Sequence, residues 1–381
     1  EPSPYWEQVR RLMDASVEHI RPEDPLPAGE AASPQELVSA AAFAGSPSPL
    51  AAWLEWEDNE FNRAWRSAQM GASVLRARLA DKPKGPHEGD LTALADRLST
   101  RYGPHHTWSA SRLEAYATCP MLFWIGSGLD LEPRIPPEEG YDVRILGTMY
   151  HHILEELYRR ASDPTDADEL LALLPTVAQE VFDAAPDEYG FRPTPLWDYQ
   201  RQELEQILAD SVAALAEASS GYTPAALEQV FGLEGQPALV IQSDGGELRL
   251  RGFIDRLDRG PDGRLRVIDY KAGSTSISAR DLAEGRRVQL ALYALAARDA
   301  LGMGDISGGF YWHIGPAKAS SLKLEKFEGG VEAALQVAAN HALAYAAAVR
   351  AGHFQPKPSA GNCPSNCPAA AFCWRYIPKR W

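Results

Sequence analysis

The chain contains 381 residues, of which 45% are hydrophobic and 23% are charged, and its formal net charge is −15. This composition is typical of a globular protein, and the length is sufficient for two or three domains or for one elaborated core. No run of about 18 apolar residues predicts a membrane span. The acidic balance argues against a broad basic surface for nucleic acid, but it is compatible with a local basic groove. The sequence begins at Glu1 without a secretory signal pattern. We therefore expect a cytoplasmic protein and a piece of a longer polypeptide.

Residues 1–107 carry apolar side chains at spacings of three and four between Pro/Gly breaks, which predicts a helical N-terminal region. This region is expected to be the tail of a larger upstream region, and residues 108–381 are expected to form a second domain. The first helix of this second domain should begin with Ser109 or Ser111 as its N-cap. Further helices are predicted at about 147–161, 166–184, 196–219, 286–301 and 330–350, with strands in "LEQVFGL", "ALVIQ", "ELRLRGFIDRLD", "RLRVIDYKAG", "GGFYWHIG" and "SLKLEKF". This order predicts a mixed α/β core wrapped in helices.

The segment "GFIDRLDRGPDGRLRVIDYKAG" predicts a hairpin that turns near Asp262. In that register Asp255 opposes Asp269, and their Cβ atoms should lie about 5 Å apart. Two opposed carboxylates destabilise a sheet unless a cation lies between them, so we expect a divalent metal ion there. Strand alternation places Lys271 on the face of Asp269 and Tyr270 on the other face. A solvated Asp–Lys surface pair is the alternative interpretation of these residues.

A second candidate metal ligand lies in "ILGTMYHHILEELYRR". The pattern predicts a helix on which His151 and Glu155 are neighbours at positions i and i+4. A histidine oriented by a carboxylate in this way can bind a metal ion, although such a pair on its own is more often an ordinary surface feature.

Four motifs in this order resemble the RecB-like nucleases of the PD-(D/E)xK superfamily. They are "GTMYHHILE", "GFIDRLD", "VIDYK" and "QLALY", and they span residues 147–293. The resemblance implies a restriction-endonuclease-like core with a central mixed sheet, and a DNA nuclease that depends on Mg²⁺ or Mn²⁺. It also assigns roles by position: His151, Asp255 and Asp269 as side-chain metal ligands, the carbonyl of Tyr270 as a further ligand, Lys271 as the catalytic lysine, and Gln289 and Tyr293 as supporting catalytic-site residues.

The chain has four cysteines, Cys119 and then Cys363, Cys367 and Cys373. Disulfides are not expected without a secretory signal. The spacing is compatible with a 4Fe–4S cluster or a Cys₄ zinc site, or the cysteines could bind no metal. "SASRLEAYATCPMLFW" resembles the segment around the first cluster cysteine of AddB-type helicase–nuclease proteins, although three residues rather than two separate Cys363 from Cys367. The resemblance favours a 4Fe–4S cluster with a structural role, and zinc is the alternative.

Two further predictions concern basic residues. Arg249, Arg251, Arg256, Arg264 and Arg266 lie on the predicted hairpin strands and form a candidate phosphate-binding strip. His105 and His106 are expected to lie in a solvated loop.

The leading functional hypothesis is a metal-dependent nuclease that cuts DNA, mainly single-stranded, as an exonuclease or end-processing enzyme in recombinational repair. The sequence contains no G-x-x-x-x-G-K-[ST] motif, so a helicase must be supplied by upstream sequence or by a partner. The alternatives are a non-catalytic DNA-binding scaffold and a stand-alone nuclease that resembles the CRISPR-adaptation or end-resection enzymes.

Overall fold

We analysed a computed structural model that describes residues 4–13, 28–44, 60–79, 85–132, 140–243, 246–357, 363–364 and 367–376. The chain divides into two compact units, Glu1–Glu88 and Gly89–Trp381. In the first unit the described elements include three α-helices: α1 (Pro4–Met13), α2 (Pro34–Ala44) and α3 (Glu60–Leu79). The helical character predicted for the N-terminal region therefore holds for these described residues.

The division between the units falls earlier in the chain than the predicted boundary between residues 107 and 108. Residues near position 90 are already hydrogen bonded to the C-terminal part of the second unit. The amide of Leu91 donates to Gly352 (2.8 Å), and the amide of Phe354 donates to Gly89 (2.7 Å). These long-range backbone contacts group residues 89–107 with the second unit, which the local sequence pattern could not reveal.

The second unit contains most of the regular structure. Its helices are α4 (Ala95–Arg101), α5 (Ala110–Thr118), α6 (Pro120–Phe123), α7 (Val143–Arg160), α8 (Ala167–Tyr189), α9 (Trp197–Ala218), α10 (Ala279–Ala283), α11 (Gln289–Leu295) and α12 (Gly330–Arg350). Its strands are β1 (Thr107–Ser109), β2 (Thr223–Phe231), β3 (Leu239–Ser243), β4 (Gly246–Arg259), β5 (Leu265–Lys271), β6 (Ile306–His313) and β7 (Lys318–Lys323). The predicted mixed α/β class is confirmed.

Two predicted elements are divided in the structure, and one of the two predicted N-cap serines is the N-cap of α5. The predicted helix at 286–301 is α11 followed by a π-helical turn at Ala296–Ala300. The last strand begins earlier than predicted, and the end of "SLKLEKF" forms a 3₁₀ turn. Ser109 rather than Ser111 is the N-cap of α5, and its hydroxyl accepts the amide of Arg112 (3.4 Å).

The strands form one mixed seven-stranded sheet with the path β1–β4–β5–β6–β7. Strands β2 and β3 also pair with β4 and are antiparallel to it, whereas β1 is parallel to β4. Strand β4, the longest of the described strands, thus pairs with four neighbours. A strand shared in this way places its central residues where several elements converge.

The β4–β5 hairpin has the predicted register. Arg256 pairs with Ile268, and Asp258 pairs with Arg266. The turn is closed by a hydrogen bond from the Gly260 amide to the Arg264 carbonyl (2.8 Å). The regular ladder stops one pair before the two opposed aspartates, so Asp255 and Asp269 lie where β4 and β5 separate.

Helices cover both faces of the sheet and form two cores. One core packs α5, α11 and α12 against the sheet, with Trp108, Leu257 and Val267 fully buried. The other packs α7, α8 and α9 against the opposite face, with Ile153 and Ile268 at its centre. Among the described residues, none of the helices is both long and apolar enough to cross a bilayer.

Candidate active site

Three side chains meet at the point where β2, β4 and α7 come together. Asp255 is nearly buried on β4, and its Oδ2 accepts the Tyr270 amide at 2.6 Å. Glu228 on β2 lies opposite Asp255, since the flanking pairs are Leu227 with Arg256 and Gln229 with Ile254. His151 of α7 completes the group, and one ligand atom from each of His151, Glu228 and Asp255 lies within 4.8 Å of the others.

Glu228 was not identified from the sequence. Its backbone is left-handed (φ 43°) in the middle of a strand, a conformation that is uncommon for residues other than glycine and that is often retained at functional sites. This local distortion brings its carboxylate to 3.6 Å from Nδ1 of His151. An acidic residue within the short segment "LEQVF" was the available signal.

His151 does not use the partner predicted for it. Glu155 forms an ion pair with Arg159 instead. Nδ1 of His151 lies 3.6 Å from Oδ2 of Asp255, and Nε2 of the same ring lies 3.3 Å from the carbonyl oxygen of Tyr270. The histidine therefore approaches the side chain and the backbone carbonyl that were predicted as metal ligands.

Asp269 and Lys271 lie beside this group on β5, on the face predicted for both. Asp269 is 1% exposed, and its Oδ2 is 2.5 Å from the ammonium of Lys271. Its Oδ1 is buried and accepts no hydrogen bond from the residues that the structure describes. A buried carboxylate oxygen without a donor is costly unless a cation compensates it.

The pKa values of the titratable side chains in this group are raised, so these side chains bind protons more tightly than usual. Burial and the neighbouring carboxylate of Asp269 raise the pKa of Asp255 to about 7. Burial opposes protonation of His151, but Asp255, Glu228 and Asp269 together raise its pKa to about 9. For Lys271 burial likewise opposes the charge, yet Asp269 and Asp255 raise its pKa above the ordinary value. The site therefore holds an excess of negative charge.

Helix α11 holds Lys271 from the other side. The Lys271 ammonium donates to Oε1 of Gln289 (3.1 Å), and Nε2 of Gln289 donates to the hydroxyl of Tyr293 (2.9 Å). Both residues were predicted as supporting residues from the "QLALY" motif, and the structure places them within the hydrogen-bond network of the lysine.

A second residue missed by sequence reasoning, Glu114 of α5, fixes the start of α11. Its Oε1 accepts the amides of Val288 and Gln289, both at 2.9 Å, and its Oε2 accepts Arg287 at 3.0 Å. Val288 is the N-cap of α11 and its own side chain forms no capping bond. A buried carboxylate at the positive end of a helix satisfies these amides and stabilises the helix start. Glu114 is therefore a positioning residue for Gln289 and, through it, for Lys271.

The four cysteines converge at one small cavity, away from this group. Cys119, Cys363, Cys367 and Cys373 all line the cavity, together with Met121 and Leu122. Burial raises the pKa values of the Cys367 and Cys373 thiols. The structure thus brings Cys119 to the three C-terminal cysteines, which lie more than 240 positions further along the chain.

The predicted arginine strip is not one surface. Arg256 and Arg266 are buried and share the carboxylate of Asp258 at 2.6 and 2.9 Å. Arg264 pairs with Asp262 in the turn, and Arg249 pairs with Glu247. The prediction of a continuous phosphate-binding strip is therefore wrong, because four of its members neutralise nearby carboxylates.

The fold and the group around Asp255, Asp269 and Lys271 define a restriction-endonuclease-like protein. A sequence profile described as the PD-(D/E)XK nuclease superfamily matches residues 107–374. The chain belongs to this superfamily.

Several relatives are named as a subunit of an ATP-dependent helicase/deoxyribonuclease. The one from Thermoanaerobacter sp. (strain X514) is 30% identical over 263 residues, which cover 64% of this chain and 23% of the relative. The one from Acetivibrio thermocellus is 27% identical over 310 residues, 75% of this chain and 26% of the relative. The one from Carboxydothermus hydrogenoformans is 31% identical over 245 residues, 59% of this chain and 22% of the relative. The matched segments thus span about a quarter of these relatives.

Proposed function

We propose that the protein is a deoxyribonuclease that requires Mg²⁺, or Mn²⁺ in its place, and that degrades single-stranded DNA from an end during recombinational repair. The observation that carries this proposal is the convergence of His151, Glu228, Asp255 and Asp269 beside the ammonium of Lys271. The names of the relatives support DNA as the substrate and a helicase, in the same polypeptide or a partner, as the source of the single strand.

The residues present fit a hard divalent cation. Two buried aspartates, one glutamate and one imidazole are suitable ligands, and the unpartnered Oδ1 of Asp269 is an oxygen available for such an ion. Asp255, Asp269, His151 and the Tyr270 carbonyl would hold the ion, with Glu228 as an added ligand. When bound, Mg²⁺ supplies neutralisation of phosphate charge and a more acidic bound water.

The protein's own groups account for the rest of the reaction. Lys271 is aimed by Asp269 and Gln289. In this position its ammonium would orient the attacking water and stabilise the negative charge that develops on the phosphate. Glu114 anchors the start of α11 and so fixes the position of Gln289.

We further propose that the four cysteines bind a 4Fe–4S cluster with a structural role. The support for this proposal is that all four cysteines line one cavity. Four thiolates are the ligand set that such a cluster requires. The same four thiolates could bind a zinc ion, which is the alternative.

The test of the proposed function is degradation of end-labelled single-stranded DNA by anaerobically purified protein, with Mg²⁺ and with EDTA. We expect degradation with Mg²⁺ alone, and we expect it to accelerate from pH 6 to pH 8 at limiting Mg²⁺. The sign follows from the raised pKa values of Asp255, about 7, and His151, about 9. Metal ions must displace protons from both groups, and fewer protons are bound as the pH rises.

Circular single-stranded DNA of the same length is the matched control substrate, and it should resist an enzyme that requires an end. Cleavage of the circle would replace the exonuclease with an endonuclease. A protein that absorbs near 400 nm and binds DNA, yet degrades none with Mg²⁺ or Mn²⁺, would contradict the nuclease and favour the scaffold.

Glu114→Ala should lower kcat about 10- to 100-fold and change KM little. Loss of the carboxylate would shift Gln289, and the Lys271 ammonium would then lie slightly away from its position beside the reacting phosphate. Glu114→Gln should recover most of the activity, since its amide oxygen can still accept both backbone amides of α11. Steady-state kinetics on single-stranded DNA would measure both. Equal loss in the two variants, or a loss confined to KM, would remove Glu114 from the positioning of the lysine.

A further inference from the structure

Four arginines on α4, α5, β4 and α12 lie near His106, which directly precedes β1. The arginine patch consists of Arg101, Arg112, Arg251 and Arg350, and each lies close enough to lower the pKa of the imidazole electrostatically. Burial is the largest cause of that shift, and the four guanidinium groups add to it, so that the pKa of His106 falls to about 4. His106 is therefore neutral at physiological pH and adds no charge to the patch.

The environment of His106 differs from the predicted solvated loop. His105 is exposed, but the His106 ring packs edge-on against Tyr102 and Trp108, with centroids 4.9 Å away in each case. Its Nε2 is buried and has no hydrogen-bond partner in the described part of the chain. Arg101 lies 5.3 Å from the centroid of the Tyr102 ring. The patch is thus built on a rigid aromatic base.

The arginine patch differs in its partners from the other arginines near the hairpin. In the described ranges no ion pair joins Arg101, Arg112, Arg251 or Arg350 to an acidic side chain, whereas most other arginines near the hairpin have such a partner. Arg350 donates instead to the carbonyls of Tyr102 (2.7 Å) and Glu247 (2.9 Å). Four positive charges with no ion-pair partner among the described residues stand out in a chain with a net charge of −15. Like charges gathered at one place repel each other, and a polyanion relieves that repulsion.

The patch is connected to the active site by two elements. Arg251 precedes Asp255 by four residues on β4, about 13 Å at the rise of a strand, and it lies opposite Ser109 of β1. Arg112 lies on α5, two residues before Glu114. A phosphate bound at the patch would therefore be held by the same rigid elements that position the catalytic group.

We propose that the arginine patch binds the sugar-phosphate backbone of the DNA strand whose end is degraded, at phosphates away from the cleaved bond. This inference rests on the proposed nuclease function. Phosphate contacts of this kind fix the position of a nucleic acid without reading its sequence. The patch should therefore contribute to substrate affinity and its salt dependence, and contribute little to the chemical step.

The test is a triple variant, Arg101→Gln, Arg112→Gln and Arg251→Gln, which leaves the structural Arg350 in place. The matched control, Arg159→Gln, Arg264→Gln and Arg280→Gln, removes the same charge from exposed arginines that have carboxylate partners. Binding to a labelled single-stranded oligonucleotide is measured in EDTA by fluorescence anisotropy, between 50 and 200 mM KCl. Thermal melting tests whether both variants fold. If the triple variant has a lowered Tm, the single variant Arg251→Gln is used in its place.

We expect the triple variant to bind the oligonucleotide at least about tenfold more weakly at 100 mM KCl. The slope of log K against log salt should become shallower by about 2, because each of the three lost phosphate contacts contributes about 0.7 to it. With Mg²⁺ and saturating DNA, kcat should be unchanged. The inference is overturned when the triple variant binds like the control while the wild type binds and degrades DNA. Wild-type protein that binds no DNA contradicts the proposed function together with the inference.

Discussion

Replacing Lys271 with alanine is expected to lower kcat for DNA degradation by about 10³-fold or more, while the Kd for single-stranded DNA stays within about threefold of wild type. The ammonium is held between Asp269 at 2.5 Å and Gln289 at 3.1 Å. It is therefore fixed before substrate arrives, and its effect should appear in the transition state rather than in binding. Single-turnover degradation and anisotropy in EDTA would measure the two quantities separately.

Two further variants sharpen this experiment. Lys271→Arg should be nearly as inactive, because a planar guanidinium cannot occupy the position of a compact ammonium between the same two oxygen atoms. Lys326→Ala removes an exposed lysine from the turn after β7 and should behave as wild type. Hydrolysis retained by Lys271→Ala would exclude this lysine from the mechanism.

The second large effect is expected at the cysteine cavity. Cys363→Ala should remove absorbance near 400 nm, lower the unfolding free energy by about 3 to 5 kcal/mol and lower Tm by about 10 °C. A metal bound by the four cysteines would join Cys119 to Cys363, which are 244 positions apart, and would so restrict a long loop in the unfolded chain. DNA binding should weaken as well, since the arginine patch includes Arg112 of α5, the helix whose C-cap is Cys119. Anaerobic absorbance and thermal melting test the prediction.

Wild-type protein stripped of its metal by a chelator provides the comparison for the variant. Stripping should lower the Tm of the wild type to that of Cys363→Ala and have no further effect on the variant. A Cys363→Ala protein with wild-type colour and Tm would rule out a stabilising metal centre that is bound by the four cysteines. A colourless wild-type protein that contains one zinc ion would assign the cysteines to zinc.

Local chemistry explains which parts of the site were predictable from the sequence. The turn "RGPDG" fixes the register of the β4–β5 hairpin, and that register determines the placement of Asp255, Asp269 and Lys271. The helix and its histidine could be placed because the 3.6-residue period of α7 leaves Met149 and Ile153 buried and His151 at the sheet. Short-range spacing was sufficient in both cases.

The residues that were missed depend on contacts across long stretches of chain. Glu228 reaches the site because β2 pairs with β4 rather than with the next strand in sequence, and because its backbone is left-handed. Glu114 acts on Val288 from 174 positions away. The wrong prediction of a phosphate-binding strip that includes Arg256 and Arg266 has a similar origin. Strand alternation predicts which side chains share a face of the sheet. It does not predict that α7 and α9 cover that face or that Asp258 forms ion pairs with both arginines.

The segment β1–α5 has a consequence for how the protein is made. Its partners are synthesised much later: Arg249 pairs with Thr107, Val288 binds Glu114, and the His353 carbonyl accepts the hydroxyl of Tyr116. At about 5–20 residues per second, a ribosome needs on the order of 10 to 50 seconds to reach the last of these partners. Until then the contacts of this segment with β4, with the start of α11 and with His353 cannot all form. We therefore expect the segment to remain accessible to chaperones during synthesis, although it is largely buried in the finished protein.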